Sequence, residues 1–86
     1  MAKTHTIIST RNGRVNSTTG TITGTLEDLI DAFSYTLECG ASYQNEKGNK
    51  KINKSPKTIK ALVDNLNKAK TNSAANGSPD TVYSLQ

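Results

Sequence analysis

Residues that stabilise small domains through disulfides, bound metal or a large apolar core are scarce in this sequence of 86 residues. Cys39 is the only cysteine, which excludes an internal disulfide, and the single histidine, His5, has no Cys or His partner nearby to form a metal site. The chain has no tryptophan, one phenylalanine and only 33% hydrophobic residues. A chain of this length buries only about 60% of its unfolded surface. We therefore expect one domain over 1–86, with a thin core that is supplemented by homo-oligomerisation, as a dimer or tetramer.

Long hydrophobic runs are also missing. No stretch approaches the roughly 18 apolar residues that a membrane-spanning helix needs. The first five residues contain no hydrophobic signal core. Together with the lone cysteine, these features favour a cytosolic location and no membrane partner.

Catalytic patterns are equally scarce, so we expect neither enzyme activity nor a cofactor. Cys39 falls at the carboxyl end of a predicted helix, where the helix dipole disfavours a thiolate, and is interpreted as a small buried apolar residue. His5 falls in a predicted strand without an acid or thiol near it in sequence. Three acids at the start of the first predicted helix are interpreted as cap and dipole partners: Glu27, Asp28 and Asp31.

Three segments have the residue types of β-strands. The β-branched run 4–10 is followed by Asn12-Gly13, the strongest short signal of a hairpin turn, and the chain returns over 15–25. Gly20 and Gly24 predict a bulge or bend in that second strand. Residues 81–85 predict a final strand.

Two segments show helical periodicity. The first covers 26–39, with Thr25 as its N-cap and Gly40 as a left-handed C-cap. The second begins at Ser55-Pro56, where serine caps and proline takes the first helical position, and stops at 76–77. Their apolar stripes are Leu26, Leu29, Ile30, Phe33 and Leu37 in the first, and Ile59, Leu62, Val63, Leu66 and Ala69 in the second.

The order of these elements predicts an α+β domain. In it, an N-terminal β-hairpin and a C-terminal strand form a small antiparallel sheet, and two helices pack on one face of that sheet. The nine asparagines of the chain are expected in turns and exposed polar contacts.

Positive charge is concentrated in one stretch, residues 41–60, which we call the basic segment. It holds six lysines against one glutamate, a net charge of +5, while the whole chain carries +4. Residues 41–54 show no periodicity, and a loop of that length in a small domain is usually functional or disordered. The segment lacks the Walker spacing of glycine, lysine and hydroxyl residues, which excludes an ordinary nucleoside triphosphatase.

The residue types of the basic segment suit recognition of a nucleotide. Tyr43 offers a ring for stacking, Gln44 and Asn53 offer amides that can read a base edge, and Lys54 adds a cation for phosphate. The amides at the start of the second helix form a further anion site. A solvated lysine-rich loop is the alternative interpretation. The candidate ligand-binding residues are Ser42, Tyr43, Asn45, Lys47, Asn49, Lys50, Lys51, Lys57 and Thr58.

Sequence-specific binding of duplex DNA is a poor fit to this chain. Arginine dominates base and phosphate readout, and the chain has only Arg11 and Arg14, at the predicted hairpin tip. The helices are separated by a long loop rather than by the short turn of a helix-turn-helix. The compact charge favours a small anion over a polymer.

Five segments of the chain are distinctive: 37–43 (LECGASY), 46–52 (EKGNKKI), 55–58 (SPKT), 74–77 (AANG) and 83–85 (YSL). With these segments the chain resembles phage-encoded sponge proteins in size, composition and layout. The chain looks most like the tetrameric anti-CBASS sponges, with anti-Thoeris sponges as neighbours. The resemblance implies a viral immune-evasion protein in the host bacterial cytoplasm. Such a protein sequesters a cyclic dinucleotide or related signal near subunit interfaces and does not cleave it.

Two other functions remain open at the level of sequence. One is a small protein–protein inhibitor whose basic loop docks on an acidic surface of a host factor. The other is a nucleic-acid-binding accessory protein, whose affinity for a polymer would fall steeply with salt.

Overall fold

A computed structural model describes residues 3–11, 13–15, 20–77 and 81–86 of the chain. It is an α+β structure with one antiparallel sheet of four strands and three helices. The elements, in chain order, are β1 (His5–Arg11), β2 (Arg14–Val15), β3 (Thr21–Gly24), α1 (Leu26–Ala32), α2 (Ser34–Ser42), α3 (Ile59–Ala74) and β4 (Val82–Leu85). None of the helices in the described ranges is long and apolar enough to cross a membrane.

Strand β1 is the centre of the sheet, because it pairs with all three other strands. Ile7 lies opposite Ile22 of β3 and opposite Leu85 of β4, so these two strands flank β1 on opposite sides. The predicted C-terminal strand is confirmed. The first strand of the sheet therefore lies directly beside the last one.

The predicted hairpin is confirmed in its register and corrected in its return strand. Arg11 pairs with Arg14 across the turn, and Gly13 has the positive φ of +78° that the turn requires. The predicted strand over 15–25 is two short strands, β2 and β3. Between them, the Gly20 carbonyl accepts a hydrogen bond from the Ser9 N–H. The predicted turn residue Asn12, like residues 16–19, lies outside the described ranges.

The first predicted helix is two helices, with Phe33 between α1 and α2. Its start is confirmed as a capping box, in which the Thr25 hydroxyl accepts from the Asp28 N–H and the Asp28 carboxylate accepts from the Thr25 N–H. The predicted C-cap at Gly40 is wrong, because α2 continues to Ser42. Gly40 is buried where α2 crosses α3, and a Cβ there would lie 2.3 Å from the Cα of Ala69. The glycine therefore allows close helix packing and does not end the helix.

The predicted start of the second helix at Ser55-Pro56 is also wrong. Helix α3 begins at Ile59, and the Thr58 hydroxyl caps it by accepting from the Ala61 N–H at 3.1 Å. Thr58 is extended, with φ −133° and ψ 157°, as an N-cap requires. The chain thus contains two sequences that can begin a helix, and the later one is used.

The helical stripes and the inward side of the sheet form one core. The sequence predicted most of its members, and the unpredicted ones are Ile52 from the basic segment and Ile7 and Tyr83 from the sheet. The outward residues of β1 are only partly buried, whereas Ile7 and Ser9 on its other side are buried. The buried apolar residues are Ile7, Leu29, Phe33, Leu37, Ile52, Leu62, Leu66, Ala69 and Tyr83.

Candidate anion-binding groove

Residues 43–58 contain no helix or strand, yet side-chain amides fix the backbone of their central part. The Lys50 N–H donates to Oδ1 of Asn72 at 2.9 Å, and Nδ2 of Asn72 donates to the Lys50 carbonyl at 2.8 Å. Three residues further on, the Asn53 N–H donates to Oδ1 of Asn65 at 2.8 Å. Asn65 and Asn72 are seven residues apart on α3, so they stand on one side of the helix two turns apart. These hydrogen bonds therefore fix the backbone of the basic segment against α3.

The amides that the sequence offered for reading a base are mostly occupied with this backbone. Oε1 of Gln44 accepts from the Ile52 N–H at 3.1 Å, and Nδ2 of Asn49 donates to the Tyr43 carbonyl at 2.8 Å. Oδ1 of Asn53 accepts from the Ser55 N–H at 2.9 Å. Because this segment does not pair with a strand, side chains must provide hydrogen-bond partners for its backbone groups. The amides that the sequence suggests for contacts with a ligand therefore bind the backbone of their own segment.

An open groove of about 560 Å³ lies between this segment and α3, and we call it the lysine groove. Two elements supply its cations, since Lys51 and Lys54 come from the basic segment and Lys68 from α3. Buried Ile52 contributes an apolar surface between them. The six lining residues are Lys51, Ile52, Asn53, Lys54, Asn65 and Lys68.

The groove keeps most of its positive charge. Nζ of Lys68 lies 2.9 Å from Oδ2 of Asp64, and Nζ of Lys54 lies 3.9 Å from Oε1 of Glu38. Both pairs are exposed to solvent, where an ion pair contributes at most about 1 kcal/mol. Among the described residues Lys51 forms no salt bridge. An incoming phosphate can therefore compete for all three ammonium groups.

Of the nine candidate ligand-binding residues, only Lys51 lines the lysine groove. Asn53 and Lys54, which the sequence also suggested for contacts with a base and a phosphate, line it as well. The Ser42 hydroxyl donates to the Cys39 carbonyl, Tyr43 is half-buried at the C-terminal end of α2, and the Thr58 hydroxyl caps α3. The other predicted residues belong to the same segment but not to the lining of this groove: Asn45, Lys47, Asn49, Lys50 and Lys57. The hairpin arginines, Arg11 and Arg14, are exposed and do not line it either.

Two lining residues, Asn65 and Lys68, were missed because they belong to α3 and not to the loop. They are three residues apart, so they share a helix face. Asn65 is 8% exposed in the middle of an amphipathic helix, and its amide also donates to the Ala61 carbonyl. A polar residue inside an apolar stripe was the available signal, because a buried amide must find partners.

The described part of the chain also carries two smaller depressions. One of about 320 Å³ shares Ile52 and Lys54 with the lysine groove and is otherwise lined by Glu38, Ala41, Ser42 and Gln44. The other, of about 170 Å³, is lined by Tyr35, Thr36, Cys39, Lys70 and Ser73. Cys39 is half-buried there, where we had expected it to be fully buried, and a hydrogen bond with it raises the pKa of Tyr35. No cluster of three His, Cys, Asp or Glu side chains that could hold a metal occurs in the described ranges.

No protein-family model, curated protein or solved structure matches this chain at a significant level.

Proposed function

We propose that the protein binds a cyclic oligonucleotide in the lysine groove and sequesters it without cleaving it. The observation that carries this proposal is the convergence of Lys51, Lys54 and Lys68 around one groove from two different elements. Lysine is a common ligand of phosphate as a compact, mobile charge. The volume of about 560 Å³ falls within the roughly 300–1,000 Å³ of small-molecule sites.

The fixed backbone of the segment supports tight binding. Asn65 and Asn72 hold the main chain at residues 50 and 53 through hydrogen bonds within the protein. Binding then orders only lysine side chains, at about 0.5–1.5 kcal/mol each, and not a whole loop. A disordered lysine loop would lose much more conformational entropy on binding the same anion.

The chemistry of the lining supports retention of the ligand over hydrolysis. The six lining residues are lysine, asparagine and isoleucine, so the described groove offers no histidine, thiol or hydroxyl for the usual nucleophile and base. The proposed biological role, capture of a cyclic-nucleotide immune signal during phage infection, is supported by the resemblance to anti-CBASS sponges.

A thermal-shift panel followed by calorimetry tests this proposal. The panel contains cyclic di- and trinucleotides, cyclic ADP-ribose isomers, linear ATP and a short RNA, each at two salt concentrations. A ligand at a hundred times its Kd adds about 2.7 kcal/mol, which raises the Tm of so small a domain by about 10 to 20 °C. We expect such a shift with one cyclic nucleotide and none with ATP.

Matched lysine variants locate the site. Lys51→Ala removes a cation from the groove, whereas Lys47→Ala removes one from the same segment outside the groove lining. Loss of a charge-assisted contact costs about 1.5–3 kcal/mol, so we expect Lys51→Ala to weaken binding about tenfold or more, and Lys47→Ala to change it about twofold at most. Equal losses in both variants, or no shift across the panel, would overturn the proposal. RNA binding that falls steeply with salt would replace it with the nucleic-acid alternative.

A further inference from the structure

The side of the sheet that faces away from the helices carries no charged residue in the described ranges. Ile7 and Ser9 of β1 point into the core, so their neighbours in the strand and the partners of those neighbours point outward. We call this surface the outer face. It consists of Thr6, Ile8, Thr10, Val15, Thr21, Thr23, Val82 and Ser84.

The polar groups of the outer face are partly satisfied within it. The hydroxyls of Thr6 and Thr23 are hydrogen-bonded to each other at 2.8 Å, and the Thr10 hydroxyl donates to the Val82 carbonyl at 3.4 Å. Val15 and Val82, which both lie opposite Thr10, are 55% and 59% exposed. The surface therefore presents methyl groups in a row across the sheet, and three of its five hydroxyls are hydrogen-bonded within it.

We propose that the outer face is the contact between two copies of this chain, packed sheet against sheet. The chain carries a net charge of +4, so two copies repel each other across their basic surfaces. The outer face is neutral, so a contact through it brings no like charges together, and a flat patch can meet an identical patch across a twofold axis. Sheets that pack in this way interdigitate small and β-branched side chains at about 10 Å separation.

Association through the edge strand β4 is disfavoured by Asn67. Its Oδ1 accepts from the Tyr83 N–H at 2.8 Å and its Nδ2 donates to the Tyr83 carbonyl at 3.0 Å. The side chain of a helix thus occupies the central backbone groups of β4 that an added strand would need. The outer face carries no such block and offers an uncharged surface on which copies can meet.

The size of the outer face predicts a weak dimer. Three rows of side chains on three adjacent strands cover about 300 Å² in projection, at a strand spacing of about 4.8 Å and a rise of about 3.4 Å per residue. This is well below the roughly 800 Å² per partner of a standard stable interface. We therefore expect a Kd between about 10 μM and about 1 mM.

Sedimentation velocity on the full chain, from about 5 μM to about 2 mM, tests the proposal. Wild type should pass from monomer to dimer over that range. Val82→Lys places a charge in the outer face and should remain monomeric, whereas Tyr35→Lys makes the same change of charge on α2, at a side chain that is 80% exposed, and should dimerise like wild type. A wild type that stays monomeric, or a Tyr35→Lys variant that loses dimerisation instead, would overturn it.

Dilution of the ¹⁵N-labelled wild type provides a readout that needs no variant. Amide resonances of Ile8, Thr10 and Ser84 should shift with concentration, while those of Lys51 and Lys68 should not. Shifts confined to the helices would contradict the proposal. No outer-face residue lines the lysine groove. The outcome is therefore independent of whether the groove binds a nucleotide.

Discussion

The side-chain amide of Asn72 satisfies both backbone polar groups of Lys50, accepting from its N–H at 2.9 Å and donating to its carbonyl at 2.8 Å. The same Nδ2 also donates to the Gly40 carbonyl in α2 at 3.1 Å. Asn72 is completely buried in α3. One side chain therefore joins both long helices to the basic segment, and the position of the lysine groove depends on it.

Asn72→Ala should lower the free energy of unfolding by about 3 kcal/mol. The substitution leaves the N–H and the carbonyl of Lys50 without their partner, while the Gly40 carbonyl still accepts from the Tyr43 N–H. A buried unsatisfied polar group costs about 1–3 kcal/mol, less where water can reach it. Asn76→Ala is the control, because that exposed side chain makes one hydrogen bond, to the Asn72 carbonyl, and should cost less than about 1 kcal/mol. Urea denaturation measures both. Similar losses in the two variants would contradict the role that we assign to Asn72.

Local patterns predicted the elements of this fold because local physics dominates there. The stripe of Leu62, Leu66 and Ala69 faces the core at helical spacing, and Gly13 turns the hairpin with its positive φ. The apolar residues had to be buried somewhere, and period alone indicated which side of each helix would be covered.

Tertiary contacts decided what the sequence could not show. Gly40 looked like a helix terminator, but its lack of a side chain serves the approach of Ala69, which is 29 positions away in the chain. Likewise, asparagines were expected in turns, yet Asn65 and Asn72 are buried in α3 and bind the backbone of a distant segment. These hydrogen bonds determine which side-chain amides are already bonded within the protein. They also determine which lysines line the same groove.

Gly40→Ala should destabilise the protein by about 3 kcal/mol or more. The added Cβ would lie 2.3 Å from both Cα and Cβ of Ala69, so the helices would have to separate. Gly48→Ala is a suitable control, because Gly48 has a φ of +85° with open space around it and should cost only about 1 kcal/mol.

The double variant Gly40→Ala/Ala69→Gly provides a second test of the Gly40 contact. It should recover only part of the loss in thermal unfolding, because the Cα of Ala69 remains in the way. Full recovery would show that backbone approach is not the constraint.

Asn67→Ala should expose the edge strand β4 to pairing with other molecules. The Tyr83 N–H and carbonyl lose their partners, which should cost about 1–3 kcal/mol and increase aggregation. Light scattering and thioflavin fluorescence at a temperature below the Tm measure that increase. Asn45→Ala, a change at an exposed position in the basic segment, should leave both unchanged.

Tyr83 should make the protein less stable at alkaline pH. Burial raises the pKa of its hydroxyl above the ordinary 10.0, and a hydrogen bond with the Thr36 side chain opposes that shift with a smaller effect. Its ring also packs edge-on against Phe33, with centroids 5.5 Å apart. A tyrosine with a raised pKa in the folded state holds its proton longer than in the unfolded chain. The stability that it contributes is therefore complete below about pH 10 and is lost as pH rises through the folded pKa.

Chemical denaturation of wild type and Tyr83→Phe between about pH 7 and pH 11 isolates this effect. Lysines titrate in both proteins, so the difference between the two free energies of unfolding reports on the hydroxyl. That difference should stay constant up to about pH 9 and then move against wild type. Parallel curves throughout would show that the Tyr83 hydroxyl does not titrate differently in the two states.

Asp64→Asn should strengthen binding of a cyclic dinucleotide in the lysine groove. Asp64 lies one helical turn before Lys68 and holds its Nζ at 2.9 Å, so the carboxylate competes with an incoming phosphate. Removing one negative charge near the groove is worth roughly 0.5–1 kcal/mol in solvent, which corresponds to about a two- to fivefold gain in affinity. The gain should shrink as salt screens the interaction.

Asp31→Asn is the matched control for this last prediction, because it removes an equal charge from exposed α1 and not from the turn that carries Lys68. Calorimetric titration of both variants at low and high salt separates a local effect from one of net charge. Equal gains would mean that the ligand responds only to the overall charge of the protein. A gain confined to Asp64→Asn would mean that Lys68, a residue of α3, contacts the phosphate together with the lysines of the basic segment.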